Sequence, residues 1–378
     1  MALEHIHNLT QVIGARPAGT RPELLARRYV RHALSDLGIT ERIDEQHFDT
    51  PNTQGYALAA PLLLGLLGRF MGFRLGQSAA LLAGSYGLYR ALGFRRDWIG
   101  FPNEGESGNL IVKFPAAQSP KERVILTAHL DSSKHRFMSA APESHDLMRV
   151  ALTASVGLMA VAGIAQLFGM KWLSRLASIG SLAAVPFVAL DEVGAFVDGA
   201  NDNASGIACL LTIAAQLKAQ PLANTEVWLA FTGAGEVGGR GIQALLDEYR
   251  VELAQAWIMD VDSVGAGEIS YVTHHIGLSH LTDYEPHPDS LRLAIETARA
   301  HPSLGVQGLP AKGVSQVAHA HHRGFRTLQI SGLGENGFPM NAHQYNDFAS
   351  QIREETLTQA TQFITALLHT LDQRGAIR

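Results

Sequence analysis

Five short segments of this 378-residue chain carry side chains able to hold divalent cations, most of them just after a strand-like run. TAHLDS (127–132) puts His129 at the end of an apolar strand and Asp131 two residues on. An imidazole that gives its second ring proton to a carboxylate has a fixed tautomer and orientation, so His129 as ligand with Asp131 behind it is chemically coherent. DGANDNASG (198–206) offers Asp202 at the entry to an apolar helix, with two oxygens that could bridge two cations. Helix capping would use the same residue type in the same place. GAGEVGG (233–239) offers Glu236, with glycines on both sides that allow tight turns and close backbone approach. An ordinary strand-to-loop glutamate is the plainer reading there. DVDSVG (260–265) offers Asp262, and NAHQYND (341–347) offers His343. Each segment is a modest signal by itself, but together they form a mixed carboxylate and imidazole set that suits zinc, with manganese or cobalt as alternatives. Two such ions about 3.5 to 4 Å apart would activate water and polarise a carbonyl.

The elements that must position these donors follow from local pattern. NLIVKF (109–114), RVILTA (123–128) and EVWLAF (226–231) are β-rich runs, and further strands are expected at 256–259, 269–272 and 327–330. PELLARRYVRHALSDL (22–37) has apolar residues at helical spacing and stops before Gly38; 204–219 is also helix-like, and a closing helix is expected from Asp347 to Leu371, capped by Asn346 or Asp347. Strand and helix alternation predicts a three-layer α/β domain with a mixed, mostly parallel central sheet. Ligands in such sheets bind at the carboxyl ends of the strands, where His129 and Glu236 fall.

Two apolar stretches interrupt the alternation, so the expected organisation is one catalytic domain over 1–378 with helical-hairpin insertions at 56–94 and 137–196. Arg69 and Arg74 separate the halves of the first hairpin, and Lys171 and Arg175 those of the second. Val150–Met170 is uncharged and long enough to span a bilayer, whereas the segments of the first hairpin are short or interrupted, which argues against four transmembrane helices. Packing of the hairpins on each other, on the catalytic domain or on a second subunit is the leading expectation; peripheral membrane contact, with basic residues near anionic headgroups, is the alternative.

Composition bounds the class. A net charge of -5 with mixed signs gives no broad basic face, so nucleic acid is not an expected partner. The single cysteine, Cys209, sits in an apolar helical run, which excludes an intrachain disulfide framework and fits a reducing compartment. MALEHIHNLTQ lacks the pattern of a secretory signal, so the expected location is cytoplasmic, with membrane association as the variant.

These motifs, in this order, resemble the di-zinc aminopeptidases of metallopeptidase family twenty-eight, whose relatives include the glutaminyl cyclases. The N-terminal IGARPAGTRPELLARRYVRHALSDLGI also resembles the family's first helix region, and only the two hairpins fall clearly outside. The resemblance implies that His129 and Asp262 bind one metal, Glu236 and His343 the other, and Asp202 bridges them, with Asp131 orienting His129. It also implies a general-base glutamate immediately before the metal-binding one, where this chain has Gly235. Loss of such a base typically sacrifices about 10² to 10⁴-fold in rate. Asp260, Glu335, His274 and His275 are candidate substitutes by sequence proximity. Ser315, Gln316 and Val317 lack a Ser-Asp-His motif common in the family, and His319, His321 and His322 read as a surface or pocket-rim cluster.

The leading expectation is therefore a metal-dependent amide or peptide hydrolase acting on a small peptide or acyl-amino substrate. A metal-binding pseudoenzyme that engages a membrane or partner is the second reading, and cyclase-like acyl transfer the third. A homo-oligomer formed through the hairpins is the alternative to lipid contact.

Overall fold

The computed structural model describes residues 2–93, 104–137 and 142–377; position 94 of the first insertion and 138–141 of the second lie outside these residues. Eight strands form one sheet: β1 (Ile43–Thr50), β2 (Gly105–Phe114), β3 (Glu122–His129), β4 (Thr225–Thr232), β5 (Trp257–Val261), β6 (Glu268–Ile276), β7 (Gln307–Lys312) and β8 (Arg326–Leu333). Their spatial order is β1-β2-β4-β3-β5-β8-β6-β7, with the central four parallel and antiparallel pairs toward both sides. The fold class is the expected mixed, mostly parallel α/β sheet. The two edge strands β1 and β7 were not foreseen, because IDEQHFDT and QGLPAK carry too few apolar residues to mark them.

Central strands buried on both faces read as continuous apolar runs. Leu110, Val124, Leu126, Leu229 and Met259 pack with the helices Arg21–Asp36, Gly206–Ala219 and Glu354–Ile377 in one core layer. On the other face Ile111, Ile125, Trp228 and Ile258 meet Ile242, Leu245 and Leu246 of the helix Arg240–Glu248. The helix Arg21–Asp36 begins with Pro22 in its first turn and ends before Gly38, whose φ of +68° only glycine adopts cheaply. Cys209 is a buried core thiol, as its apolar surroundings indicated.

The closing helix differs from expectation. It runs from Glu354 to Ile377 after a short turn at Ala349–Gln351, so neither Asn346 nor Asp347 caps it. Asp347 is instead fully buried, and its role appears at the site below.

The inserted segments form two helical hairpins. Gly55–Leu67 and Arg74–Leu92 make the first; Pro142–Leu167, with Lys171–Gly180 and Val185–Glu192, makes the second. They pack on each other through Leu62, Leu88 and Leu92 against Leu152, Val156 and Met159. Gly84 permits this closeness, because a Cβ there would lie 2.5 Å from Met159 Cε and 2.5 Å from the Pro61 carbonyl oxygen. The resulting bundle is tied to the sheet domain by an Arg149–Asp283 ion pair of 2.7 Å and a Thr153–Ser279 hydroxyl contact of 2.9 Å.

Candidate metal centre

Parallel register sets the site. β3 and β4 pair so that His129 lies opposite Thr232, and β3 and β5 so that Thr127 lies opposite Asp260. The loops that follow β4 and β5 therefore leave the sheet beside the end of β3, carrying Glu236 and Asp262 toward His129. Left-handed backbone at Ala234, Ser263 and His343 (φ 51°, 58° and 58°) bends three of the site's loops next to or at a donor. Non-glycine residues adopt this region rarely, and such outliers persist where surrounding contacts hold them.

Asp202 is the centre of the arrangement. Its Oδ1 lies 3.0 Å from His129 Nε2, and its Oδ2 lies 3.1 Å from His343 Nε2. The two oxygens of one carboxylate thus face two different imidazoles. Asp262 Oδ1 is 3.8 Å from the same His129 nitrogen, while Glu236 Oε1 is 3.1 Å from the same His343 nitrogen. Glu236 Oε1 is also 4.0 Å from His129 Nε2, so Asp202 and Glu236 lie between the two imidazoles, with Glu236 nearer His343 and Asp262 facing His129.

The donor chemistry fits divalent cations. Asp202, buried, and Glu236 and Asp262, partly buried, bring three carboxylates around the two imidazoles His129 and His343. Burial and the neighbouring Asp202 push the Asp262 carboxyl up, the mark of too much negative charge in one place. Burial also opposes ionisation of Asp202, but hydrogen bonds from His129 and His343 hold it well below the usual carboxylate range. Donor atoms of His129, Asp202 and Glu236 lie within 4.8 Å of one another.

Asp131 sits behind His129. Its carboxylate accepts from the backbone N–H of Gly235 (2.8 Å) and of Glu236 (2.9 Å), and Oδ1 lies 3.4 Å from His129 Nδ1. The closer partner of that ring nitrogen is the Asp131 carbonyl, at 3.0 Å. Asp131 therefore fixes the imidazole through its main chain and fixes the Glu236 loop through its side chain. Gly235 is packed against the same ring: a Cβ at this position would stand 2.5 Å from His129 Cβ and 2.8 Å from Cγ. The place of a residue-235 side chain is occupied by the His129 side chain.

Three buried charged residues hold the loops, of which sequence reasoning did not single out Arg16 and Glu23 and gave Asp347 a different role. Arg16 is fully buried and donates to the carbonyls of Leu9, Gly14, Leu130, Asp198 and Gly199, joining the N-terminal segment to the Asp202 loop. Glu23 accepts from Ser107 Oγ and from the N–H groups of Ala234 and Gly19, bracing the Glu236 loop. Burial and Asp131 nevertheless push its carboxyl up to about 8. Asp347 accepts from the N–H of Asn201 (2.6 Å) and of Asp202 (3.1 Å), so the residue expected as a helix cap instead anchors the bridging aspartate. The Asp202 and Asp262 loops are laced together as well, since Gly265 N–H donates to Asn201 Oδ1 and Val264 N–H to Ser205 Oγ.

All five expected ligands line one pocket, together with Gly235 and Asp260. Asp260 is engaged by Thr127 Oγ1, Ser315 Oγ and Gln316 Nε2, at 2.8, 2.6 and 2.7 Å, and burial with Asp262 nearby pushes its carboxyl up to about 6. Glu335 lines a separate groove, and neither His274 nor His275 lines the pocket; His275 stacks on Tyr284. His319 is buried against the Gly238 carbonyl, and His321 packs on Tyr284. The wall opposite the donors comes from the bundle, through Leu58, Met148 and Val188, with Asp191 and Glu192 gathered around Arg136.

Residues 185–368 match the profile of Peptidase family M28, a stretch that contains Asp202, Glu236, Asp262 and His343. No curated protein matches the sequence. Among solved structures, the zinc aminopeptidase BSAP from Bacillus subtilis is 16% identical, covers 97% of this chain and 93% of its own, and superposes with a TM-score of 0.57. A glutaminyl cyclase from an Acidobacteriales bacterium is 14% identical over 99% of this chain and 94% of its own, with a TM-score of 0.58. A leucine aminopeptidase precursor from Bacteroides thetaiotaomicron is 15% identical over 97% and 95%, with a TM-score of 0.57. At such identities these likenesses show a common fold.

Proposed function

We propose that this chain, which carries the Peptidase family M28 pattern over residues 185–368, is a metal-dependent amide hydrolase acting on a small peptide or acyl-amino substrate. The observation that supports this reading most is the division of Asp202, one oxygen toward His129 and the other toward His343. In this reading His129 and Asp262 hold one divalent ion, Glu236 and His343 a second, and Asp202 both, with zinc the best fit to the donors. When bound, such a pair supplies an electrophile for the scissile carbonyl and activation of water.

The chain's own side chains do the positioning. Asp131 keeps the His129 ring turned so that Nε2 faces the carboxylates. Leu58, Met148, Val188 and Leu278 give the pocket an apolar wall that favours a substrate with an apolar group. The general base is atypical: no carboxylate is available at Gly235, and the nearby Asp260 spends its oxygens on three internal donors.

Turnover of an aminoacyl and acyl-amide panel, measured with zinc or manganese supplied, tests the reading. Hydrolysis that disappears in Asp202→Ala supports it. Absence of turnover on the whole panel, with metal content unchanged by Asp202→Ala, overturns it. A cyclase-like acyl transfer is the second reading, favoured by the bare Gly235, because attack by the substrate's own amine needs no activated water. Product masses separate them, since hydrolysis adds water and cyclisation expels ammonia.

A further inference from the structure

The helical bundle is apolar on its outside as well as in its core of Leu62, Leu88, Leu152 and Met159, unlike a protein surface facing water. Its polar side chains point inward: Ser78 Oγ donates to the Gly163 carbonyl (2.7 Å), Ser85 Oγ to Val156 (2.7 Å) and Ser155 Oγ to Ser181 (2.8 Å). Its small residues are also at the helix contacts, where a Cβ on Gly65 would fall 2.2 Å from Met159 Cε and one on Gly163 2.7 Å from Leu82 Cγ. Its large apolar side chains point outward, among them Leu67, Leu75, Leu176 and Ile179, the last 66% exposed. Close contacts through glycine, serine hydroxyls satisfied within the bundle, and an apolar exterior are how helices pack when the surrounding solvent is hydrocarbon.

Charge and length point the same way. From Ala57 to Leu92 and from Leu147 to Leu190 the chain contains no carboxylate. Of its six cations, Arg90 and Arg149 lie toward the sheet domain, Arg149 paired with Asp283, while Arg69, Arg74, Lys171 and Arg175 gather at the far end of the bundle, where Arg69 reaches the Ser174 carbonyl at 3.0 Å. The aromatic rings Phe70, Phe168 and Trp172 stand beside them, 86%, 72% and 71% exposed. Aromatic rings and cations at one level, with an uncharged band behind, match a bilayer interface carrying anionic headgroups. Past Arg149, outward apolar residues on the second hairpin run from Val150 to Leu167, about 26 Å of uncharged helix at 1.5 Å per residue, close to the thickness of a bilayer's hydrocarbon core. The stretches Glu143–Leu167 and Lys171–Glu192 are long and apolar enough to cross a membrane. The shorter first hairpin lies against them and shares their interior.

We propose that the two hairpins form a four-helix unit that spans a lipid bilayer, with the cationic tip in the anionic headgroups of the far leaflet and the sheet domain on the near face. The pocket wall made by Leu58, Met148 and Val188 then sits where the bundle leaves the membrane.

Thiol labelling of the full chain tests this without recourse to activity, so its outcome is independent of the hydrolase reading. The native Cys209 is buried and stays silent. Gly72→Cys places a thiol at the tip, where a Cβ meets nothing within 4 Å, and Val251→Cys places one on an exposed turn of the sheet domain. In membranes of expressing cells, a membrane-impermeant maleimide should reach one position in right-side-out vesicles and the other in inverted vesicles, with the chain resisting alkaline carbonate extraction. Ile179→Lys, mid-band, should lower the membrane-integrated fraction by about tenfold or more. Labelling of both positions from the same face, or a carbonate-soluble chain that forms a dimer shielding Trp172, overturns the proposal.

Discussion

At the sheet edge the buried residues are charged: Arg16, Glu23, Asp131, Asp202 and Asp347, each met by several hydrogen-bonding groups. In the middle of the bundle the buried polar groups are serine hydroxyls such as those of Ser78, Ser85 and Ser155, with His145, Arg149 and Asp191 buried at its sheet-domain end and Gln166 near its tip, and the outward residues are Leu, Ile, Phe and Trp. One region concentrates charge by surrounding it with dipoles; the other confines it to its ends. A buried ion is tolerated only where paired or hydrogen-bonded, so the first region is a place to hold something of opposite charge. The second offers charge only at its two ends, Arg90 and Arg149 toward the sheet domain and Arg69, Arg74, Lys171 and Arg175 at the tip.

The contrast predicts that damage in one region stays there. Asp202→Ala should have the largest effect, removing both ions and lowering turnover by about 10³-fold or more, since the electrophile is lost with them; metal analysis checks the first and initial rates the second, while membrane association should not change. Arg16→Ala leaves five carbonyls without their shared donor and should destabilise the sheet domain by about 3 kcal/mol, seen in denaturant unfolding. Its counterpart in the bundle is Gly84→Leu, which forces a side chain onto Met159 and Pro61 and should cost about 1 to 3 kcal/mol of bundle stability with metal content unchanged. Loss of metal in Gly84→Leu, or of membrane association in Asp202→Ala, would erase the distinction.

Gly235→Glu sharpens it further. A glutamate there must displace the His129 ring, so it should weaken metal binding by about tenfold, the effect of overpacking by 1 to 2 kcal/mol, rather than raise turnover. A rise in rate would show that the site lacks only a base.

The mildest test is pH. Burial favours neutral His343, but Glu236 and Asp202 outweigh it and push the metal-free imidazole up to about 10 from 6.5. Because the folded value lies above the unfolded one, this pairing stabilises the metal-free fold fully below pH 6.5 and is lost as pH rises toward about 10. A cation must displace that proton, so zinc affinity should rise by up to about tenfold per pH unit for each proton displaced in the same window, as competition titrations would show. A flat profile would mean that His343 is not a ligand.

The central strands and the five donors were legible because an apolar run followed by an acid or imidazole is a local pattern, as in RVILTAH and EVWLAFTGAGE. Arg16, Glu23 and Asp347 were not legible, because their partners are 114, 211 and 146 residues away and nothing near them marks burial. β1 and β7 were missed for want of apolar residues, being edge strands. The apolar hairpins were visible as segments, yet that they stay apolar on the outside as well appears only when Ser78 is seen to face Gly163 while Ile179 faces out. Gly235 was visible only as a glycine beside Glu236; that no side chain fits there follows from the position of His129.

The account stands or falls on Asp202. Anomalous scattering at the zinc edge, from crystals grown with zinc, should show two peaks flanking its carboxylate, one beside His129 and Asp262 and the other beside His343 and Glu236. A map with no peak at Asp202, or with a single peak that contacts neither histidine, would contradict it.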